Sequence, residues 1–135
     1  MTSAPALVPE LLVTDLAASL EFWVGLCGFE VLYERPEEGF ASIALGSARV
    51  MLDQIGLGRD WVAAPLHRPL GRGVNFEIAV ATIAPVLERL AAAGWPLFLA
   101  PEEKTYRTGG TEVRVGQFLV QDPDGYLLRF TARVG

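Results

Sequence analysis

Residues 8–34, VPELLVTDLAASLEFWVGLCGFEVLYE, hold the pattern on which the fold turns. A short apolar run from Val8 to Val13 meets Thr14 and Asp15, either of which can cap a helix. Leu16, Leu20, Trp23 and Leu26 then recur at helical spacing, and Gly28 ends the helix. Beyond it FEVLYER, FASIALG and ARVMLDQ predict three strands, separated by the turn signals Glu37-Glu38-Gly39 and Gly46-Ser47. The order is β-α-β-β-β.

The same order returns from Gly73 onward. VNFEIAV predicts a strand, TIAPVLERLAAAG a helix, and PLFLAPE, EVRVGQFLVQ and YLLRF three further strands. Val13, Leu16, Leu20 and Glu21 pair with Val80, Ile83, Leu87 and Glu88, and Gly28-Phe29 pairs with Gly94-Trp95 after one residue of slippage. This is an internal duplication. Pro85 falls in the first turn of its helix, where its missing N–H has no partner to lose. The chain reads as one α+β domain of two tandem βαβββ modules, about 7–54 and 73–133. The linker between them, about 55–72, is rich in proline and glycine, and one short helix is expected around Trp61.

A chain of 135 residues with 51% hydrophobic and 20% charged side chains can bury a core of its own. No apolar run approaches the roughly 18 residues that span a bilayer, and MTSAPALVPE lacks the basic start and apolar stretch of a signal peptide. The expectation is a cytoplasmic protein without a membrane partner. A net charge of −5 disfavours nucleic acid and favours cationic partners. Cys27 is the single cysteine, which excludes an internal disulfide, and its apolar neighbours favour burial. The one histidine, His67, lies in the linker, and no serine or cysteine stands in a nucleophile motif.

Strand alternation sorts the remaining polar residues. Leu11 and Val13 should pack under the first helix and leave Val8, Glu10 and Leu12 on the other side. Val74, Phe76, Ile78 and Val80 should form a core face, with Asn75, Glu77 and Ala79 opposite. Gln117, Leu119 and Gln121 oppose Phe118 and Val120, Asp53 opposes Leu52, and Arg129 interrupts an apolar strand. For Arg129 two roles follow: a salt bridge to Glu10, Asp53 or Glu77, or a clamp for an anionic or carbonyl group of a ligand.

The two modules, the opening VPELLVTDLAASLEFW followed by Gly28-Phe29, and the closing FLVQDPDGYLLRF resemble the vicinal-oxygen-chelate superfamily. That superfamily includes glyoxalase I, extradiol dioxygenases, fosfomycin-resistance enzymes and bleomycin-resistance proteins. The resemblance covers almost the whole chain and implies strands curled into a cup, with two chains sharing it as a homodimer. Its metal enzymes carry His or Gln on the first strand, His on the strand opening the second module and Glu on the last. Val8, Asn75 and Arg129 align there, and Asp53 lies near the fourth position. This set implies no metal and no other cofactor, because divalent ions need imidazole nitrogen or anionic oxygen.

Within the superfamily the bleomycin-resistance branch is the most similar, through Val8-Pro9, Asp15, Ala17-Ala18, Glu21-Phe22-Trp23 and Gly28-Phe29. That likeness implies a dimer that sequesters a flat, partly cationic small molecule, bleomycin-like or an unknown metabolite, in interface grooves, with the N-terminal strand exchanged around Pro9. Tyr33 takes an aromatic position of that groove, and Phe40, Trp61 and Tyr106 are read as loop aromatics able to line it. Arg114 replaces a stacking tryptophan of the branch. The alternative is a metal-independent enzyme with Glu10 or Glu77 as general base.

Overall fold

Asp15, not Thr14, closes the start of the first helix: its carboxylate accepts from the backbone N–H of Ala17 at 3.0 Å and of Ala18 at 3.3 Å. The computed structural model describes residues 5–135; residues 1–4, part of the MTSAPALVPE start considered above, lie outside them. The chain forms two compact units, one up to Arg68 and one from Pro69.

The first unit contains β1 (Glu10–Val13), α1 (Leu16–Leu20), β2 (Glu30–Arg35), β3 (Phe40–Leu45) and β4 (Ala48–Gln54). The second contains β5 (Asn75–Ala79), α2 (Ala84–Ala92), β6 (Leu99–Thr108), β7 (Thr111–Gln121) and β8 (Leu127–Arg133). Each builds one mixed four-stranded sheet, in the order β1-β4-β3-β2 and β5-β8-β7-β6. The first strand of each pairs parallel with the last, and the other ladders are antiparallel. The α+β class and the repeated β-α-β-β-β order are therefore as the sequence predicts.

β1 is shorter than the run from Val8 because Pro9 has no N–H, although its carbonyl still accepts from Met51 at 2.9 Å. The helix buries Ser19, Phe22, Trp23 and Cys27, while Leu16, Leu20 and Leu26 are only half-buried. The cause is a change of winding. After α1 the chain continues through Glu21–Leu26 as a wider helix, in which the Cys27 N–H reaches back to Phe22 at 2.9 Å, and the Phe29 N–H then reaches Trp23 at 3.0 Å. Leu20 to Gly28 holds one residue more than Leu87 to Gly94, so the wider turns take up the slippage between the repeats. Trp23 then meets Phe29 edge to face at 5.2 Å, and Leu11, Val13 and Leu52 are buried with them in this unit. In the second unit Phe118 and Phe130, opposite each other in the ladder, stack at 5.4 Å beside Ile78, Val86 and Leu90.

The Asp122-Pro123-Asp124-Gly125 turn is held by the Asp122 carboxylate, which accepts from the N–H groups of Asp124 and Tyr126, both at 2.9 Å. The turn also seats the start of its unit. Leu70 N–H donates to Asp124 O at 2.9 Å, and a Cβ on Gly125, at φ +100°, would lie 2.5 Å from Pro69 Cβ. Tyr126 packs on Gly71, and burial, then Asp122 and Asp124, push its hydroxyl up to about 12.

Three expectations need correction. The segment 55–74 contains no helix around Trp61, because Gly56, Gly58, Pro65 and Pro69 leave no run long enough to sustain one. Val74 precedes β5 and is exposed rather than in the core. β6 runs six residues past PLFLAPE, to Thr108, as the arm of a hairpin turning at Gly109-Gly110. No helix among the described residues is long and apolar enough to cross a membrane.

Candidate ligand-binding site

The ladder registers decide which side chains share a face. In the first unit Glu10 stands opposite Met51 and Leu12 opposite Asp53, while Phe40 pairs with Asp53 and Ser42 with Met51. Tyr33 and Arg35 oppose Ser42 and Phe40, so they join the same face. They reach it through a one-residue irregularity between Val31 and Tyr33, without which alternation would place Tyr33 with Val31 on the helix side.

On this face the Tyr33 and Phe40 rings lie 5.9 Å apart, and the Arg35 guanidinium sits 4.0 Å from the Phe40 centroid while bonding Glu38 at 3.0 Å. Phe40 is not a loop residue as expected: it opens β3 and is buried. Asp53 is 8% exposed, and burial, then Asp60, raise its carboxyl above the ordinary value, with Arg35 opposing. Glu10 is raised too, by burial first and then by Asp53, again against Arg35. The Ser42 hydroxyl is buried here without a hydrogen-bond partner among the described residues. Trp61 is exposed in the linker, with the Arg59 guanidinium 5.7 Å from its ring centroid.

The second unit has a different face. Arg129 lies opposite Glu77 on the parallel ladder. Its Nε donates to Asn75 Oδ1 at 3.2 Å and its Nη1 to Gln117 Oε1 at 3.4 Å, while Nη2 meets Glu77 Oε1 at 3.6 Å. Glu77 Oε2 accepts from the Thr131 hydroxyl at 3.2 Å. The buried Gln117 amide nitrogen donates to Glu102 at 2.8 Å and to the Tyr106 hydroxyl at 2.7 Å. Of the three carboxylates offered to Arg129 by the sequence, Glu77 is the one that pairs with it. Tyr106 is a strand residue of β6, not a loop aromatic.

Arg114 does not join this network. It alternates with Gly116, whose Cβ position lies 3.8 Å from Ile83 at the start of α2, and it pairs with Glu103 on that helix side. Arg114, which the resemblance aligns with a stacking tryptophan, takes the other side of the hairpin from Gln117: Thr105 is its ladder partner, and Tyr106 and Gln117 point the other way. Sequence reading also missed Thr131, Glu102, Arg107 and Arg133. The alternation of Leu127 and Arg129 continues to Thr131 and Arg133, so two of the four were within reach had the strand been extended past Phe130.

A cavity of about 670 Å³ opens on the second unit's face, lined by Glu77, Tyr106, Val113, Val115, Arg129 and Arg133 among others. The donor set does not fit a divalent metal: Asn75 and Gln117 spend their carbonyl oxygens on a guanidinium, whose charge repels a cation. Among the described residues no group of three or more His, Cys, Asp and Glu side chains is placed to hold a metal ion.

A family model of the glyoxalase/bleomycin resistance protein/dioxygenase superfamily matches residues 6–130. The chain belongs to this superfamily. A superfamily member from Vibrio splendidus 12B01 is 39% identical over 93% of this chain and 95% of its own, with a TM-score of 0.42. TioX from Micromonospora sp. ML1 is 24% identical over 94% of this chain and 97% of its own, with a TM-score of 0.69. A virulence protein from Salmonella typhimurium is 21% identical over 99% and 100%, with a TM-score of 0.68. The last two likenesses bear on the fold alone. No curated protein matches the chain.

Proposed function

We propose that the chain is a ligand-binding member of the superfamily, related in role to bleomycin resistance proteins, which sequesters a flat, partly cationic molecule and uses no metal. One observation carries the reading. At the strand positions where metal enzymes of the superfamily keep their donors, Asn75 and Arg129 bond to each other and to Gln117 and Glu77, so the centre of that face is a fixed wall without a reactive group. Glu77 has both oxygens engaged, which counts against it as a general base.

The flat cation is assigned to the first unit's face. Tyr33 offers an exposed ring backed by Phe40, Glu10 and Asp53 offer carboxyl groups, and the Ser42 hydroxyl has no hydrogen-bond partner among the described residues. Arg35 over Phe40 is an internal example of the contact such a ligand would make. Two copies are taken to share the groove in a cytoplasmic dimer. The exposed Val31, Leu32 and Tyr33 on β2, an outer strand of its sheet, support that association.

Titration with metal-loaded bleomycin tests the reading. Quenching of tryptophan or tyrosine emission, with one or two sites per dimer and weaker binding as salt rises, is the expected result. No binding at high micromolar drug by folded protein defeats the assignment, and a monomer in sedimentation at micromolar concentration removes the shared groove. The catalytic alternative has one observation in its favour: burial and Asp53 raise Glu10 toward the range of a useful base. Ligand recovered unchanged after incubation supports sequestration; a product whose formation stops in Glu10→Gln replaces it.

A further inference from the structure

Phe40 stands beside the half-exposed Tyr33, yet only 4% of it is exposed. The Arg35 guanidinium lies over its ring, 4.0 Å from the centroid, and is 6.0 Å from the centroid of Tyr33, within reach of both aromatic faces. Its hold on this place is weak. Arg35 bonds Glu38 three residues on, and both side chains are about half exposed, so water screens the pair. Among the described residues Arg35 has no other hydrogen bond or ion pair. Around it stand more carboxylates than one cation can balance: Glu10 and Asp53, raised first by burial and drawn back by Arg35, and Asp60 and Glu38, which raise Asp53 further. Ser42, between Tyr33 and Met51 in the ladders, adds a buried hydroxyl without a partner among the described residues.

Resting on the flat-cation reading above, we propose that the first unit's face takes a planar cation of the guanidinium or amidinium class, and that Arg35 fills its place on Phe40 until the ligand displaces it. Exchange of one such cation for another leaves the charge of the face unchanged, and the same rings and carboxylates serve both. A planar fork lies flat on an aromatic face and offers parallel N–H groups to a carboxylate. A tetrahedral ammonium carries the charge without the plane and holds its water more strongly. Arg35 thus shows which cation the place fits, and by filling it Arg35 weakens every ligand that must enter. Removing the arginine uncovers the Phe40 ring and leaves Glu10 and Asp53 without their internal cation.

Benzamidine, its uncharged analogue benzamide, and benzylamine, titrated into the full chain with chemical-shift detection, test the proposal. Shifts are expected on β2–β4, with benzamidine binding about tenfold or more tighter than benzamide and about threefold or more tighter than benzylamine. As benzamidine saturates the parent protein, the Arg35 side-chain protons, shielded by the Phe40 ring, should move toward the shifts of a free arginine. Arg35→Ala should bind benzamidine about threefold or more tighter than the parent. Arg35 protons that stay shielded at saturation, or an Ala variant that binds no tighter, overturn the displacement. Benzamide or benzylamine bound as tightly as benzamidine overturns the planar cation, and no shift on β2–β4 at millimolar benzamidine overturns the site. Bleomycin titrated in parallel separates this inference from the reading it rests on. Drug bound by a protein that ignores benzamidine leaves sequestration standing and removes the guanidinium class; benzamidine bound without the drug removes the drug assignment and keeps the planar cation.

Discussion

Glu10 and Glu77 occupy the same place in the two units, three residues before Val13 and Val80, yet they meet different neighbours. Glu10 faces Met51 across its parallel ladder, and Glu77 faces Arg129 across the matching one. Following the registers outward, Asp53, Phe40 and Arg35 stand where Thr131, Gln117 and Glu102 stand in the second unit. One scaffold therefore presents two chemistries. In the first unit carboxylates are desolvated beside a cation–aromatic stack; in the second a guanidinium collects the amides and the carboxylate into one network. The backbone pairing fixes which positions meet. Side-chain exchange at four of those five positions sets the sign of the charge and leaves the core beneath untouched.

The contrast can be broken from either side. Phe40→Ala should have the largest effect, about 3 kcal/mol or more, because a buried ring is lost and Arg35 is left over a void; denaturant midpoints measure it. Gln117→Ala should cost about 2 kcal/mol, since the buried amide serves Glu102, Tyr106 and Arg129 together. A loss no larger than that of an exposed substitution would mean that the network holds nothing. Arg129→Met, which copies the first unit's arrangement, should cost only about 0.5–1 kcal/mol, because Glu77 is half exposed and screened. The reciprocal Met51→Arg should draw the raised carboxyl of Glu10 back down, as read from its NMR titration.

The smallest change carries a sign of its own. Asp53 is raised above 3.8 in the fold, so its ionisation opposes folding: the stability it permits is complete below 3.8 and is lost as pH rises through the raised value. Asp53→Asn should therefore be more stable than the parent at neutral pH, and the two should converge on acidification. A variant that is less stable at pH 7 would show that Asp53 has a favourable partner on this face.

The repeat, the element order and the helix-side face of each first strand were legible because they are periodic: Leu11, Val13 and Ile78 are buried as alternation requires. The one-residue irregularities in β2 after Val31 and in β6 between Leu99 and Glu102 were not, since neither changes the apolar pattern enough to betray an extra residue. Yet the first irregularity puts Tyr33 beside Phe40, and the second sets the face of Glu102. The side that Arg114 takes was hidden for a related reason: similarity to a family aligns positions along a strand, whereas only the register tells which side they face. The partner of Arg129 was equally out of reach, because its distance from Glu77 in sequence leaves the choice to parallel pairing. The linker helix failed on composition, where Trp61 drew attention that Gly56, Gly58 and Pro65 should have cancelled.

The wide turns at Glu21–Leu26 bear on how such a chain changes by whole codons. An added residue in a regular helix would swing everything after it by about 100° and turn Phe29 away from Trp23. Here the extra residue is absorbed within the helix, Phe29 still meets Trp23, and β2 enters the sheet beside β3 as its counterpart β6 enters beside β7. A single-codon deletion between Glu21 and Leu26 should accordingly be survivable, with the segment reverting to the tighter winding that α2 already has.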